Sequence, residues 1–577
     1  MRRSRVLAIT GAVAVAAASV MGSSTATAAP SVAAATTAAT AAGAGSYIVL
    51  AKAGADAQAL AAALTKAGAT VTSVNTAIGM VSIEAASGAV VAAAKGMSTV
   101  QGVATDRAIG HAPKAGVDQK VLKENVLDAT GTSSGPSDNK GKSGAKQGAD
   151  PMDAQLWDMA MMQVPEAHQV TLGNKKVRVG VIDTGVDGQH PDIAPNFDAG
   201  LSRNFVTDMP DIDGDCEVAS CVDPVDVDDD GHGTHVAGTI AAALNGQGIS
   251  GVAPNVGLVN IRAGQDSGYF FVGPTVNALT YAGDAGIDVV NMSFYVDPWL
   301  YNCQGGAPED TPEQAAEQNT IIAAVNRALE YAHSKNVTMV AALGNDNDNI
   351  DAPRADVSSP DYGTDPHRRT IDPSKCFDLP TQGAHVIGVS SVGPSKRKAD
   401  YSNWAGNLTS GSLEVAAPGG WFRDGFGTPT YRTNGNLILS AAPLHVLQEA
   451  GAVDEAGEIT ASGAAAGVQK DCSGDTCGYY QWLQGTSMAS PHAAGVAALI
   501  VSRFGKNMPH QGFGMAPDAV RDRLMATAVD TPCPAGGIQS YTQEGRSAAY
   551  TATCTGTPQF NSFYGDGIVN ALNAVSR

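Results

Sequence analysis

The stretch Gly485-Thr486-Ser487-Met488-Ala489-Ser490-Pro491-His492 runs without a break into Ala493-Ala494-Gly495-Val496-Ala497-Ala498-Leu499-Ile500, so small residues give way to an apolar helix. A serine at that junction sits beside unpaired backbone N–H groups and the positive end of the helix dipole, which together stabilise an oxyanion. Serine alone is a poor nucleophile near neutral pH. The stretch therefore demands a base within hydrogen-bond reach and a group that orients the base.

Two upstream stretches meet the demand. Val177-Arg178-Val179-Gly180-Val181-Ile182-Asp183-Thr184-Gly185 reads as a buried strand with a carboxylate, Asp183, at its C-terminal end, where open α/β sheets place functional groups. Asp230-Gly231-His232-Gly233-Thr234-His235-Val236-Ala237-Gly238 reads as a loop that opens a helix. Residue physics does not choose between His232 and His235, which share one helical turn.

These blocks, in this order, resemble the subtilisin-like (subtilase) serine proteases. The resemblance implies Asp183 as the orienting carboxylate, His232 as general base and Ser487 as nucleophile, with His235 left as a structural hydrogen-bonding residue. Val340-Ala341-Ala342-Leu343-Gly344-Asn345 is similar to the family's strand ending in the oxyanion-hole asparagine, here Asn345 beside Gly344. The likeness covers Pro151 to the C-terminus. It implies a mostly parallel central sheet with helices on both faces, an α/β fold, and substrate-binding positions at Ser293, Phe294, Tyr295 and Gly344. Here the chain departs from the family, which has leucine followed by glycines where this sequence has Phe294-Tyr295-Val296. Glycine lets a substrate strand approach closely, so bulky residues are expected to narrow or redirect the cleft.

The N-terminus carries Arg2, Arg3 and Arg5, the apolar run Val6 to Val20 and the small-residue site Ala26-Thr27-Ala28. That is a secretory signal peptide, spanning 1–28, and the expected product is exported and free of the membrane once it is cut. A net charge of −20 argues against nucleic acid or an anionic membrane as partner. Eight cysteines, all beyond Asp183, read in an exported chain as disulfides. The pairings expected are Cys216 with Cys221, Cys472 with Cys477 and Cys533 with Cys554, which leaves Cys303 with Cys376. No cofactor is expected for the chemistry. Structural calcium is an open reading, carried by the carboxylates crowded between Asp208 and Asp230 and, by resemblance, by Asp192.

Ahead of the enzyme, residues 29–44 form an Ala/Thr-rich linker. Residues 45–112 then give the order strand, helix, strand, strand, helix, strand, a ferredoxin-like α+β unit. Placed between a signal peptide and a subtilase-like domain, the unit resembles the family's inhibitory propeptide, a partner cut away after it has assisted folding. Ala108-Ile109-Gly110-His111-Ala112 would be the tail lying in the cleft. Residues 113–150, rich in Gly, Ser and Lys, read as a disordered connector. The peptidase domain then spans 151–577, with insertions near 295–316, 346–382 and 421–481.

The function expected is a secreted serine endopeptidase, monomeric and made as a self-processing zymogen that acts on protein or peptide. The alternative is a catalytically silent binding protein on the same scaffold. A nucleotide-binding reading of Val181-Ile182-Asp183-Thr184-Gly185 fails, because no phosphate-binding glycine loop accompanies it.

Overall fold

A computed structural model describes residues 44–106, 149–360, 367–508 and 512–576. The signal peptide, the Ala108–Ala112 tail and nearly all of the linker and connector fall outside them.

Seven parallel strands form the central sheet, in the order Val415–Pro418, Val386–Val392, Thr338–Ala342, Val289–Met292, Arg178–Ile182, Gly257–Arg262, Arg203–Asn204. Their near-continuous apolar runs are what a sheet covered on both faces requires. Because successive side chains alternate in direction, each strand feeds two cores. Val179, Val181, Val289 and Val340 face the core built on the helices His232–Ala241 and Thr486–Phe504. Ile182, Val290, Met292, Met339 and Ala341 face the opposite core, built on Val272–Asp284 and Pro312–Ser334. The last helix begins five residues before the Glu317 start that apolar periodicity marks. Its first turn is polar and is set by Pro312 at N1 and a capping box between Thr311 and Gln314.

The N-terminal unit is a four-stranded antiparallel sheet, ordered Thr70–Asn75, Met80–Ala85, Gly45–Ala51, Val100–Thr105, with helices Ala57–Lys66 and Gly88–Lys95. Period-2 alternation gives this sheet two jobs as well. Val49, Val81, Ile83 and Val103 pack under its own helices, while Ile48, Leu50, Met80 and Ala104 enter the core around Val272–Asp284 and Pro312–Ser334. Polar contacts fix the docking. Arg327 donates to the carbonyls of Ala51 and Ile78 at 2.9 and 3.0 Å. Thr105 N–H donates to Glu317 at 2.8 Å, and Asp106 accepts from Gly273 N–H, in the first turn of a helix, at 2.7 Å.

All four disulfides join the cysteines expected: Cys216–Cys221, Cys303–Cys376, Cys472–Cys477 and Cys533–Cys554. The Cys303–Cys376 bond ties the insertion after Val289–Met292 to the one after Thr338–Ala342. Arg369 reinforces that tie from within, with Asp310 and Asp356 each 2.9 Å away. The third insertion folds as a three-stranded sheet of Ile438–Ala441, Thr476–Leu483 and Gln469–Ser473, laid against the His232 helix.

Candidate active site

Asp183 is the first residue past its strand and is fully buried. Its Oδ1 lies 2.7 Å from His232 Nδ1. A carboxylate only accepts, so Nδ1 carries the proton of this contact and Nε2 is left as the basic nitrogen. Burial pushes the Asp183 pKa up, and the neighbouring His232 pulls it back down.

The approach of helix to strand depends on Gly233. A Cβ at that position would collide with Gly185 O and stand 3.0 Å from Asp183 Cβ. The N-cap, Gly231, has no side chain with which to close the first turn. Asp228 does this instead, a role the sequence reading missed. Its carboxylate accepts from Gly231 N–H at 2.9 Å, Thr234 N–H at 2.8 Å and the hydroxyls of Thr234 and Thr184 at 2.6 and 2.9 Å. His235 Nε2–H is directed at the carbonyls of Ile438 and Gln481, each 3.2 Å away, and so ties the same helix to the neighbouring sheet.

Ser487 is the second residue of its helix and is fully buried. Pro491, four residues on, has no N–H to give to the Ser487 carbonyl. Ser293 Oγ donates there instead, at 3.1 Å, while accepting from Asn291 Nδ2 and Ser490 Oγ, both at 2.8 Å. Ser487 Oγ lies 3.4 Å from Ser293 O, a long and weak contact.

On the other flank Asn345 Oδ1 accepts from Thr486 N–H at 2.9 Å and Thr486 Oγ1 at 2.8 Å. A backbone N–H can only donate, so the amide orientation is fixed. Asn345 Nδ2 is left buried and without an acceptor among the described residues. Sheet order explains how these segments come to be neighbours. The strands ending before Asp183, Ser293 and Leu343 are neighbours in register, Ile182 beside Met292 and Met292 beside Ala341. Ser487 is bonded over the middle one.

The positions expected to line a cleft have other tasks. The Ser293 hydroxyl is spent on the serine helix, and only its carbonyl faces Ser487 Oγ. Phe294 is 3% exposed and stacks on Phe270 at 4.1 Å, in the core below the sheet. Tyr295 is buried with Leu300, Tyr301 and Ile371. The bulky residues therefore turn inward, into apolar clusters. Gly344 has φ +101°, where a Cβ would strike Asn403 Nδ2, and its N–H donates to Thr486 Oγ1 at 3.1 Å.

The subtilase family model matches residues 174–567. The chain belongs to the subtilase family. Subtilisin DY of Bacillus licheniformis is 27% identical over 61% of this chain and 84% of its own, and thermitase of Thermoactinomyces vulgaris 25% identical over 68% and 93%. Two solved structures share the fold. One is the epidermin leader peptide processing serine protease from Staphylococcus aureus, with TM-score 0.59, 20% identity and 92% of this chain and 97% of that one covered. The other is fervidolysin from Fervidobacterium pennivorans, with TM-score 0.52, 22% identity and 92% and 61% covered.

This subtilase is a serine peptidase acting on protein or peptide, and the family needs no cofactor for its chemistry. Among the described residues two groups have metal-ligand spacing: Asp208, Glu217, Asp223 and Asp266, and the half-buried His333 and His385 with the exposed Asp518. The first already has a cation among it. Arg262 lies 3.3, 2.6 and 2.5 Å from Asp208, Asp223 and Asp266. Asp192 accepts from Ile249 N–H at 3.0 Å, Tyr480 O–H at 2.8 Å and Asn245 Nδ2 at 3.2 Å.

Proposed function

We propose that this subtilase hydrolyses peptide bonds through Asp183, His232 and Ser487, with Asn345 as the oxyanion donor. One observation supports the reading most: the buried Asp183–His232 contact at 2.7 Å, on the strand next to the one to which Ser487 is bonded. Ser487 Oγ attacks the scissile carbonyl. His232 Nε2 takes its proton and returns it to the leaving amine, and water then repeats the cycle on the acyl-enzyme. Asp183 keeps the imidazole in the required tautomer and stabilises its charged form. The oxyanion meets Asn345 Nδ2 and the first N–H groups of the Ser487 helix.

In this reading the chain is exported and the unit at residues 45–106 is an inhibitory prodomain released by self-cleavage beyond it. Its apolar second face, with Ile48, Leu50 and Met80 seated on the peptidase helices, supports that role. Full-length wild type should be cut within residues 107–148 and should then hydrolyse peptides. Ser487→Ala should remain one piece and be inactive. Intact wild type with no peptidase activity would favour the silent binding protein.

A further inference from the structure

A buried carboxylate that the catalytic reading leaves unused stands beside Gly344. Three segments converge there. Val296 N–H donates to Leu379 O at 2.8 Å, and Thr381 Oγ1 donates to Ala342 O at 2.7 Å. The segment 378–381 thus bridges the chain leaving one central strand and the chain leaving its neighbour. Asp378 sits in the bridge, 4% exposed, with Oδ1 lacking a hydrogen-bond partner among the described residues. Its Oδ2 is 3.5 Å from where a Cβ of Gly344 would be. Gly344 has no side chain to cover that oxygen, and its N–H bonds Thr486, the residue before Ser487. One residue therefore separates the orphan carboxylate from the serine junction.

The surroundings are short of positive charge. Asp346, Asp348 and Asp378 share the neighbourhood of Tyr301 with Arg354 and with Arg369, which donates to the Tyr301 carbonyl at 3.1 Å and is itself paired with Asp310 and Asp356. The Arg354 guanidinium is already engaged, 3.9 Å above the Tyr301 ring, 3.6 Å from Asp348 and bonded to the carbonyls of Ile350 and Ala352. Burial and Asp346 hold the Asp378 pKa well above the carboxylate range, against the opposing pull of Arg354, which makes no hydrogen bond to Oδ1. A buried carboxyl without a partner is costly, and a cation brought by a ligand is what would remove the cost.

We propose that Asp378 is the floor of the pocket receiving the substrate side chain that precedes the scissile bond, and that the pocket selects arginine or lysine. This rests on Ser487 being the nucleophile. A long cationic side chain entering past Gly344 would place its charge against Oδ1 and Oδ2, and a guanidinium would do so through two N–H groups. A neutral side chain would leave Oδ1 unpaired.

The test uses the full chain and peptides identical except for Arg, Lys, Leu or Phe before the cut, with a fluorophosphonate titration of Ser487 in the same samples. Arg and Lys peptides should exceed Leu and Phe by at least about 100-fold in kcat/KM. In Asp378→Asn that ratio should fall below about 10-fold, with competitive inhibition by benzamidine lost in parallel. The wild-type ratio decides the matter even if the variant does not fold. Enzyme that titrates but prefers Leu or Phe, or keeps its basic preference in Asp378→Asn, overturns the pocket and leaves the catalytic reading standing. Protein that neither titrates nor cuts any peptide overturns both.

Discussion

The proposed catalysis rests on groups that the surrounding hydrogen bonds hold in one orientation. Asn345 is the plainest case: two donors from Thr486 hold its oxygen, and Nδ2 has no acceptor among the described residues. Asn345→Ala should lower kcat by about 10²- to 10³-fold with little change in KM, the size known for the equivalent loss in subtilisin. Steady-state kinetics on one peptide would show it. Asp228 acts differently, since it touches nothing that reacts but closes the helix that carries His232. Asp228→Ala leaves two buried N–H groups and two hydroxyls without their acceptor and should cost about 2 to 4 kcal/mol. Denaturant unfolding of the variant in a Ser487→Ala background measures that. The sequence hid Asp228 because it lies in a run of acidic residues, Asp226 to Asp230, and nothing local distinguishes the one that turns inward. Ser293 was legible as a position near the site. Its task was not, because the demand it meets arises four residues before a proline in a helix almost two hundred positions away.

At the scale of elements, most strands and helices announced themselves through period and caps. The strand at Val100–Thr105 and the helix at Pro517–Ala526 end where the pattern does. Sheet order did not announce itself. Strands that are neighbours in space, such as Val289–Met292 and Arg178–Ile182, are separated in sequence by two helices and two other strands. The N-terminal unit gave one hint of its partner: its sheet carries apolar residues on both faces, while its own two helices cover only one. The docked ends of that unit also respond to pH. Burial raises Asp106 from the ordinary 3.8 to about 6, and burial raises Glu317 as well. Both groups bind protons more tightly when docked, so their contribution favours docking below about pH 4 and is lost as pH rises through about 6. For Asp106 alone the change is up to about 3 kcal/mol. A peptide of residues 44–106 should bind the mature Ser487→Ala domain more tightly at pH 4.5 than at pH 7.5 by calorimetry, and Asp106→Asn should flatten the difference.

Seen whole, the molecule keeps its four disulfides in the peptidase part and none in the N-terminal unit. That distribution suits the proposed roles, a stapled exported peptidase and a prodomain that must let go. Cys303–Cys376 closes the longest loop, with a separation of 73 residues. On the chain-entropy account, replacing both cysteines by serine should cost about 4 kcal/mol, readable as a fall in the denaturation midpoint. Such long-range closure was legible only by elimination, after the three local pairs were assigned. The central claim is that the parallel sheet brings Asp183, His232 and Asn345 around one serine and makes it reactive. The most direct measurement is the rate and site of fluorophosphonate modification, followed by peptide mapping, in wild type, His232→Ala and Asn345→Ala. The account predicts one adduct, on Ser487, with the rate falling at least about 10³-fold in His232→Ala and about 10²-fold in Asn345→Ala. Modification at another residue, or a Ser487 rate indifferent to His232, would contradict it.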